Sequence, residues 1–166
     1  MELRAVQAVA GHLRDHHVRY LVAGGLAVVV HGYARMTFDL DLVIHLESDN
    51  LARTFKALEK AGYRPRIPVT PAQLADRSLR QRWVREKGFI ALNMWSDTFP
   101  DTPVDLLILD SFDFDKADAD VLLEHLEDGT PLRVVSLRTL IQMKKAADRA
   151  QDREDIEHLE ILRDET

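Results

Sequence analysis

Thr37 to Leu46 reads TFDLDLVIHL. Acidic and aliphatic residues alternate through its centre, the period of a strand with two unlike faces. Residues i and i+2 share a face, so Asp39 and Asp41 project side by side, while Leu40, Leu42 and Ile44 point the other way, into a core. Two carboxylates held that close repel, and one tends to take up a proton unless a cation sits between them. Magnesium, which prefers hard oxygen ligands and borrows others from phosphate and water, suits such a pair. A half-exposed strand shows the same D-x-D to solvent, so the pair needs support from elsewhere in the chain.

Upstream, Arg19 to Ala23 (RYLVA) is a short apolar strand, Gly24-Gly25 ends it, and LAVVVHGY reads as a short buried helix. Glycine tolerates backbone angles that other residues resist and lets a phosphate approach the chain; N–H groups at a following helix start attract anions. An ordinary strand-to-helix turn would look the same. Gly25 and Asp39 are 14 positions apart, a gap that a short helix and return loop fill, so turn and carboxylates can meet. Downstream, VDLLIL (residues 104–109) is apolar enough for a central strand and carries Asp105. A lone carboxylate buried there costs several kcal/mol, by order of magnitude, unless paired or metal-bound. If the two strands are neighbours, Asp105 joins Asp39 and Asp41, and two metals roughly 4 Å apart could serve phosphoryl chemistry there.

The rest of the chain reads as helices around these strands. Leu3, Val6, Val9, Ala10 and Leu13 give residues 2–16 a helical stripe, with His12 and His16 at i, i+4 on what reads as a surface helix. Ser48 or Asp49 caps a helix over Leu51, Phe55 and Leu58 that Gly62 stops. Tyr63 to Ile67 is a strand. Thr70-Pro71 opens one helix running to about Lys87, closed by Gly88. Phe89 to Trp95 and Val104 to Leu109 form a hairpin across the turn-rich SDTFPDTP. Residues 115–126 fit no single element, and Asp128-Gly129 turns into a strand at 132–135. Ser136 caps a helix carrying Leu140, Met143 and Ala147, and a last helix carries Ile156, Leu159 and Leu162. The fold class is α/β (α+β): a mixed twisted sheet flanked by helices, with a helical C-terminal segment at about 136–166, read as one domain over 1–166.

The 166 residues allow a core without staples. No cysteine is present, which excludes disulfides, thiolate metal sites and cysteine nucleophiles. No apolar run approaches a membrane span, and the start lacks a signal peptide's apolar centre, so a cytoplasmic protein is expected. A net charge of -6 argues against a broad non-specific nucleic-acid surface but leaves room for a local basic cleft. Arg64, Arg66, Arg77, Arg80, Arg82, Arg85 and Lys87 crowd the middle, either as a patch for an anionic partner or as a solvated helix face.

Taken together, YLVAGG, LAVVVHGY, RMTFDLDLVI and PVDLLIL resemble the nucleotidyltransferase superfamily built on the DNA polymerase beta fold. The nearer likeness is to small prokaryotic stand-alone members related to the AbiEii toxins of toxin–antitoxin systems. These carry R-x-T-x-D-L-D, here Arg35, Thr37, Asp39 and Asp41, and end in a serine-capped helix with a lysine, then an arginine and aspartates, here VVSLRTLIQMKKAADRAQDREDIEHL. The resemblance spans roughly Tyr20 to Leu162 and is thinnest between 68 and 88. It implies magnesium dependence and transfer of an NMP from an NTP, ATP among the candidates, to an acceptor hydroxyl on RNA, protein or a small molecule, and a cognate toxin or antitoxin as partner. It also implies that Gly24 and Gly25 hold phosphates, that Asp39 and Asp41 are metal ligands, and that Asp105 activates the acceptor. Gly25 stands where many members carry serine.

Arg35 either touches a phosphate or pairs with an aspartate to fix its loop; Thr37 reads as a hydrogen-bonding structural residue. Lys144 either neutralises charge on the triphosphate or makes a surface pair with Asp148, four residues on. Arg149, Asp152 and Asp155 share a helix face, as a charge network between helices or as part of the site. His31 falls near the expected pocket, and Trp83 and Trp95 either stack on a base or pack in the core or a groove. Two rival functions use the same residues: a catalytically silent module that binds nucleotide or a partner, and a metal-dependent phosphohydrolase, which lacks its usual histidine–aspartate clusters.

Overall fold

The computed structural model describes residues 1–164; the last two residues of the expected C-terminal segment lie outside the described residues. In chain order the elements begin with α1 (Leu3–Asp15), whose stripe Ala5, Val6, Val9, Ala10 and Leu13 is buried. Then come β1 (Tyr20–Val22), α2 (Gly24–Val30), β2 (Leu40–Ile44), α3 (Ser48–Lys60) and β3 (Tyr63–Pro65). The middle holds α4 (Pro71–Ala75), α5 (Arg77–Lys87), β4 (Ala91–Ser96) and β5 (Val104–Leu107). The chain continues with α6 (Phe114–Ala119), β6 (Leu122–His125), β7 (Pro131–Val134), α7 (Leu137–Ala147) and α8 (Ala150–Asp164).

The seven strands form one mixed sheet in the order β3-β4-β5-β2-β1-β7-β6. The pairs β1–β2, β3–β4, β4–β5 and β6–β7 are antiparallel, and β1–β7 and β2–β5 are parallel. α3 packs on α1, β2 and β3, α2 lies on β2 and meets α7, and α7 runs against α8. Leu40, Leu42 and Ile44 of β2 are buried, as the alternation predicts, together with Val104 and Leu106 of β5 and Leu92 and Met94 of β4. Each such side chain contributes roughly 1.5–3 kcal/mol when withdrawn from water. The residues between them, Ala91, Asn93 and Trp95 on β4 and Asp105 and Leu107 on β5, stay partly exposed. One face of β4–β5 is therefore sealed and the other is open.

Several expectations change in detail; at α3 the N-cap position falls on Glu47, with no side-chain cap bond, rather than on Ser48 or Asp49. β2 is shorter than Thr37–Leu46 because β5 starts only at Val104: the ladder opens where the Leu40 N–H donates to the Pro103 carbonyl (2.9 Å), leaving Asp39 just ahead of the strand. α2 starts at Gly24 itself, so the glycine pair forms its first turn. The helix from Pro71 breaks at Asp76, whose extended backbone ends α4 and whose Oδ1 accepts from the Leu79 N–H (3.0 Å) to cap α5. The capping box of Thr70 with Gln73 opens α4, and Gly88, at φ +60°, closes α5. Residues 115–126 resolve into most of α6 and the edge strand β6. No helix among the described residues is long and apolar enough to cross a membrane.

Candidate metal and nucleotide site

Asp41 of β2 and Asp105 of β5 are register partners on neighbouring parallel strands, and Asp39 reaches them from just ahead of β2. One oxygen from each of the three carboxylates lies within 4.8 Å of the others. Burial, then the charges of Asp39 and Asp105, push the Asp41 carboxyl up to about 6; the charge of Arg149 and a hydrogen bond from the Gly25 N–H oppose the rise. A carboxyl so displaced is one that a cation would return to its ionised form. Three convergent hard oxygens are the donor set that magnesium takes, so the residues present fit the ion.

The glycine pair closes over this cluster. Gly24 has φ +60°, and a Cβ there would fall 1.7 Å from Asp41 Oδ2. A Cβ on Gly25 would fall 2.3 Å from Thr37 Oγ1 and 2.7 Å from an Arg35 terminal nitrogen. The Ala23 N–H donates to the Asp41 carbonyl (3.0 Å), which ties the start of α2 to β2. The space that a serine at 25 would occupy is thus filled by the Thr37 hydroxyl and the Arg35 guanidinium, brought back by the loop before β2.

No protein-family model and no curated protein matches the chain. Solved structures do. ANT(2″)-Ia in complex with adenylyl-2″-tobramycin superposes with a TM-score of 0.58 at 14% identity, over 97% of this chain and 94% of that one. The lincosamide antibiotic adenylyltransferase LnuA, lincomycin-bound, gives 0.59 at 14% identity over 96% of both chains. An antigenic nucleotidyltransferase-like protein from Paracoccidioides brasiliensis gives 0.58 at 19% identity, over 95% of this chain and 75% of that one. The fold is the nucleotidyltransferase fold.

Within this nucleotidyltransferase fold, the other candidates divide. Lys144 is buried in α7, with Nζ 2.6 Å from Asp155 Oδ2 and 3.1 Å from Asp152 Oδ1, both on α8 and both buried. It does not pair with Asp148, which takes Arg153 instead (2.8 Å) and stands in left-handed backbone at the end of α7. Arg35 Nε lies 3.3 Å from Asp155 Oδ1, so Asp155 faces Lys144 on one side and Arg35 on the other. Arg149 Nε donates to Asp152 Oδ2 (3.1 Å), and its charge reaches Asp41. Burial would raise the Asp152 carboxyl, but the bond and charge of Lys144, helped by Arg149, hold it below its ordinary value.

Asn93 escaped the sequence reading. It lies opposite Asp105 across β4–β5, and its Nδ2 donates to Asp105 Oδ1 at 2.7 Å. Its own Oδ1 is buried with no partner. The signal was available: in ALNMWS, Asn93 is the polar residue on the open face, two positions from Trp95.

Three further candidates make contacts within the fold. His16 Nδ1 bonds to the His12 carbonyl (2.8 Å), His31 Nε2 donates to the Val135 carbonyl (2.8 Å), and Trp83 packs edge-on to Phe89. Among the described residues, Asp39, Asp41 and Asp105 are the one acidic or histidine group of three or more with metal-holding geometry.

Proposed function

We propose that this protein is a magnesium-dependent nucleotidyltransferase that moves an NMP from an NTP to an acceptor hydroxyl. The observation carrying the reading is the convergence of Asp39, Asp41 and Asp105, with one oxygen each inside 4.8 Å, beside two glycines that leave the backbone bare. Of the neighbours with this fold, ANT(2″)-Ia is in complex with adenylyl-2″-tobramycin and the adenylyltransferase LnuA is lincomycin-bound.

Asp39, Asp41 and Asp105 hold the metal, which supplies charge neutralisation at the phosphates and a more acidic acceptor hydroxyl. Gly24 and Gly25 admit the phosphates close to the chain, and Arg35 and Thr37 line the same turn. Asp105, fixed by Asn93, accepts the acceptor's proton. The acceptor oxygen forms a bond to the α-phosphorus, the bond from that phosphorus to the bridging oxygen breaks, and pyrophosphate leaves. Lys144 sits one layer back: bound by Asp152 and Asp155, it keeps Asp155 in place against Arg35. The likeness to AbiEii-related proteins at Arg35, Thr37, Asp39 and Asp41 extends the reading to a toxin–antitoxin partner.

The test is a magnesium-containing transfer assay with each NTP labelled at the α-phosphate and offered RNA, protein and small-molecule fractions of a lysate. Label entering one fraction, and absent with Asp41→Asn, is the expected result. Magnesium–NTP binding without transfer would select the silent binding module of the same fold. Absence of binding would sink the site assignment.

A further inference from the structure

On the reading just given, the acceptor must lie where its hydroxyl meets Asp105, and the open face of the sheet extends from there in one direction. Asp41, Asp105 and Asn93 form a row across β2, β5 and β4. The row continues to Arg66, whose N–H donates to the Asn93 carbonyl (3.0 Å), extending the β3–β4 register by one residue. Beside it, Trp95 is the register partner of Arg64, and the Arg64 guanidinium lies 4.2 Å from the indole centroid. At about 4.8 Å per strand, Arg66 stands roughly 10 Å from Asp105 in the backbone.

Along this face the row runs carboxylate, amide, free guanidinium, with the aromatic–guanidinium stack beside the last two. Arg64 is paired with Asp97 (2.6 Å), whereas Arg66 is exposed and has no ion-pair partner among the described residues. Between Arg64 and Gly88 seven basic residues stand against two acids in a chain of net charge -6; Arg80 is buried against Asp110, and Arg64 and Arg66 are the two that lie on this face. A polycationic acceptor of the aminoglycoside kind would meet Arg64 and Arg66 as like charges. A nucleic-acid end fits each station: its terminal hydroxyl at Asp105, a base against the Trp95–Arg64 stack, and a backbone phosphate at Arg66. Aromatic and guanidinium planes beside a basic track are how single strands are held without sequence readout.

We propose that the open face of β3–β4–β5 is the acceptor subsite and that it takes the end of a single-stranded nucleic acid. The terminal hydroxyl attacks the α-phosphorus, Asp105 takes its proton, and pyrophosphate departs, so the strand grows by one nucleotide.

The chain has two tryptophans, so Trp83→Phe leaves Trp95 as the sole indole reporter. Its fluorescence is titrated with single strands of about twelve nucleotides, within the usual site sizes, as RNA and as DNA of the same sequence, and with polyglutamate and tobramycin. Anisotropy of a labelled strand on the unmodified protein repeats the measurement without the tryptophan change. The expected result is quenching by one or both nucleic acids, weakened by salt, with Arg66→Glu lowering affinity at least about tenfold and magnesium–ATP binding unchanged. The RNA and DNA arms distinguish the two sources of the strand. Equal quenching by polyglutamate, quenching by tobramycin alone, no binding of either strand, or indifference to Arg66→Glu overturns the proposal. If instead the unmodified protein fails to bind magnesium–ATP, the transferase reading falls, and strand binding is judged by its own arms.

Discussion

Asp41 and Asp105 are directly opposed on parallel strands β2 and β5, and Asp105 is in turn opposed by Asn93 on β4. The sheet therefore holds two carboxylates side by side, and only the second has a side-chain amide beside it, the first being left with the Gly25 N–H. Much of the protein's behaviour should follow from that imbalance.

The metal-free protein should lose stability as pH rises from about 4 to about 6. The folded Asp41 carboxyl lies at about 6, above its ordinary 3.8, so the folded state binds the extra proton across that window. Below both values the carboxyl is neutral in either state and the benefit is complete; above the folded value it is gone. The displacement corresponds to up to about 3 kcal/mol. Asp41→Asn, still able to accept from Gly25, should flatten this slope and be more stable than the parent at pH 7.5 in chelator, while binding no magnesium–NTP. Urea titrations across the pH range check it.

Magnesium binding should release a proton below pH 6 and none well above it. Apparent affinity should fall by up to about tenfold per pH unit below the Asp41 value. Calorimetry in buffers of different ionisation heat reads the proton directly; a pH-independent affinity between 5 and 7 would contradict the placement of Asp41 in the ion's shell.

Gly24→Ala should cost more than a backbone effect alone, because it adds a Cβ at φ +60° and aims it at Asp41 Oδ2. A loss above about 1 kcal/mol is expected, together with loss of metal binding. Gly25→Ser should disturb the site through Thr37 Oγ1, and Thr37→Gly should relieve part of that, so the pair is non-additive.

Asn93→Leu should weaken magnesium binding by roughly 10–100-fold, the usual cost of losing a partner that orients a ligand, with melting temperature little changed. Asn93→Asp should be worse, since it sets a fourth carboxylate against Asp105.

Lys144→Met should destabilise by about 3–5 kcal/mol, because it removes the cation that two buried carboxylates share, leaving Asp155 to Arg35 and Asp152 to Arg149. Adding Asp155→Leu should recover much of this, and Asp148→Asn, which suits left-handed backbone while removing the charge that faces Arg153, should leave the melting temperature within error. Thermal denaturation of the three variants separates the buried pair from the surface pair.

These positions were not equally legible in the sequence. The alternation in TFDLDLVIHL and the acid in VDLLIL sufficed to bring Asp39, Asp41 and Asp105 together, because period 2 and burial leave few ways to arrange such strands. The Ser136 and Thr70 caps were equally plain, since a cap acts within four residues. What sequence reading missed is non-local. Asn93 meets Asp105 only through hairpin register. Lys144 has Asp148 at helical spacing, but α7 ends in left-handed backbone there, and the real partners sit across the turn on α8. The break at Asp76 has no proline or glycine to announce it; an aspartate that caps one helix while ending another looks like any polar residue inside a helix.

Asp155 has one further consequence. Arg35, beside the glycine turn, and Lys144, on α7, both depend on a carboxylate that α8 brings in. A ribosome would finish the sheet, all three clustered aspartates included, before translating Asp155. Until then, Lys144 has no counter-ion to be buried with and Arg35 has no anchor. The nascent chain should therefore complete its candidate site late and abruptly, as α8 emerges, rather than by degrees as the strands emerge.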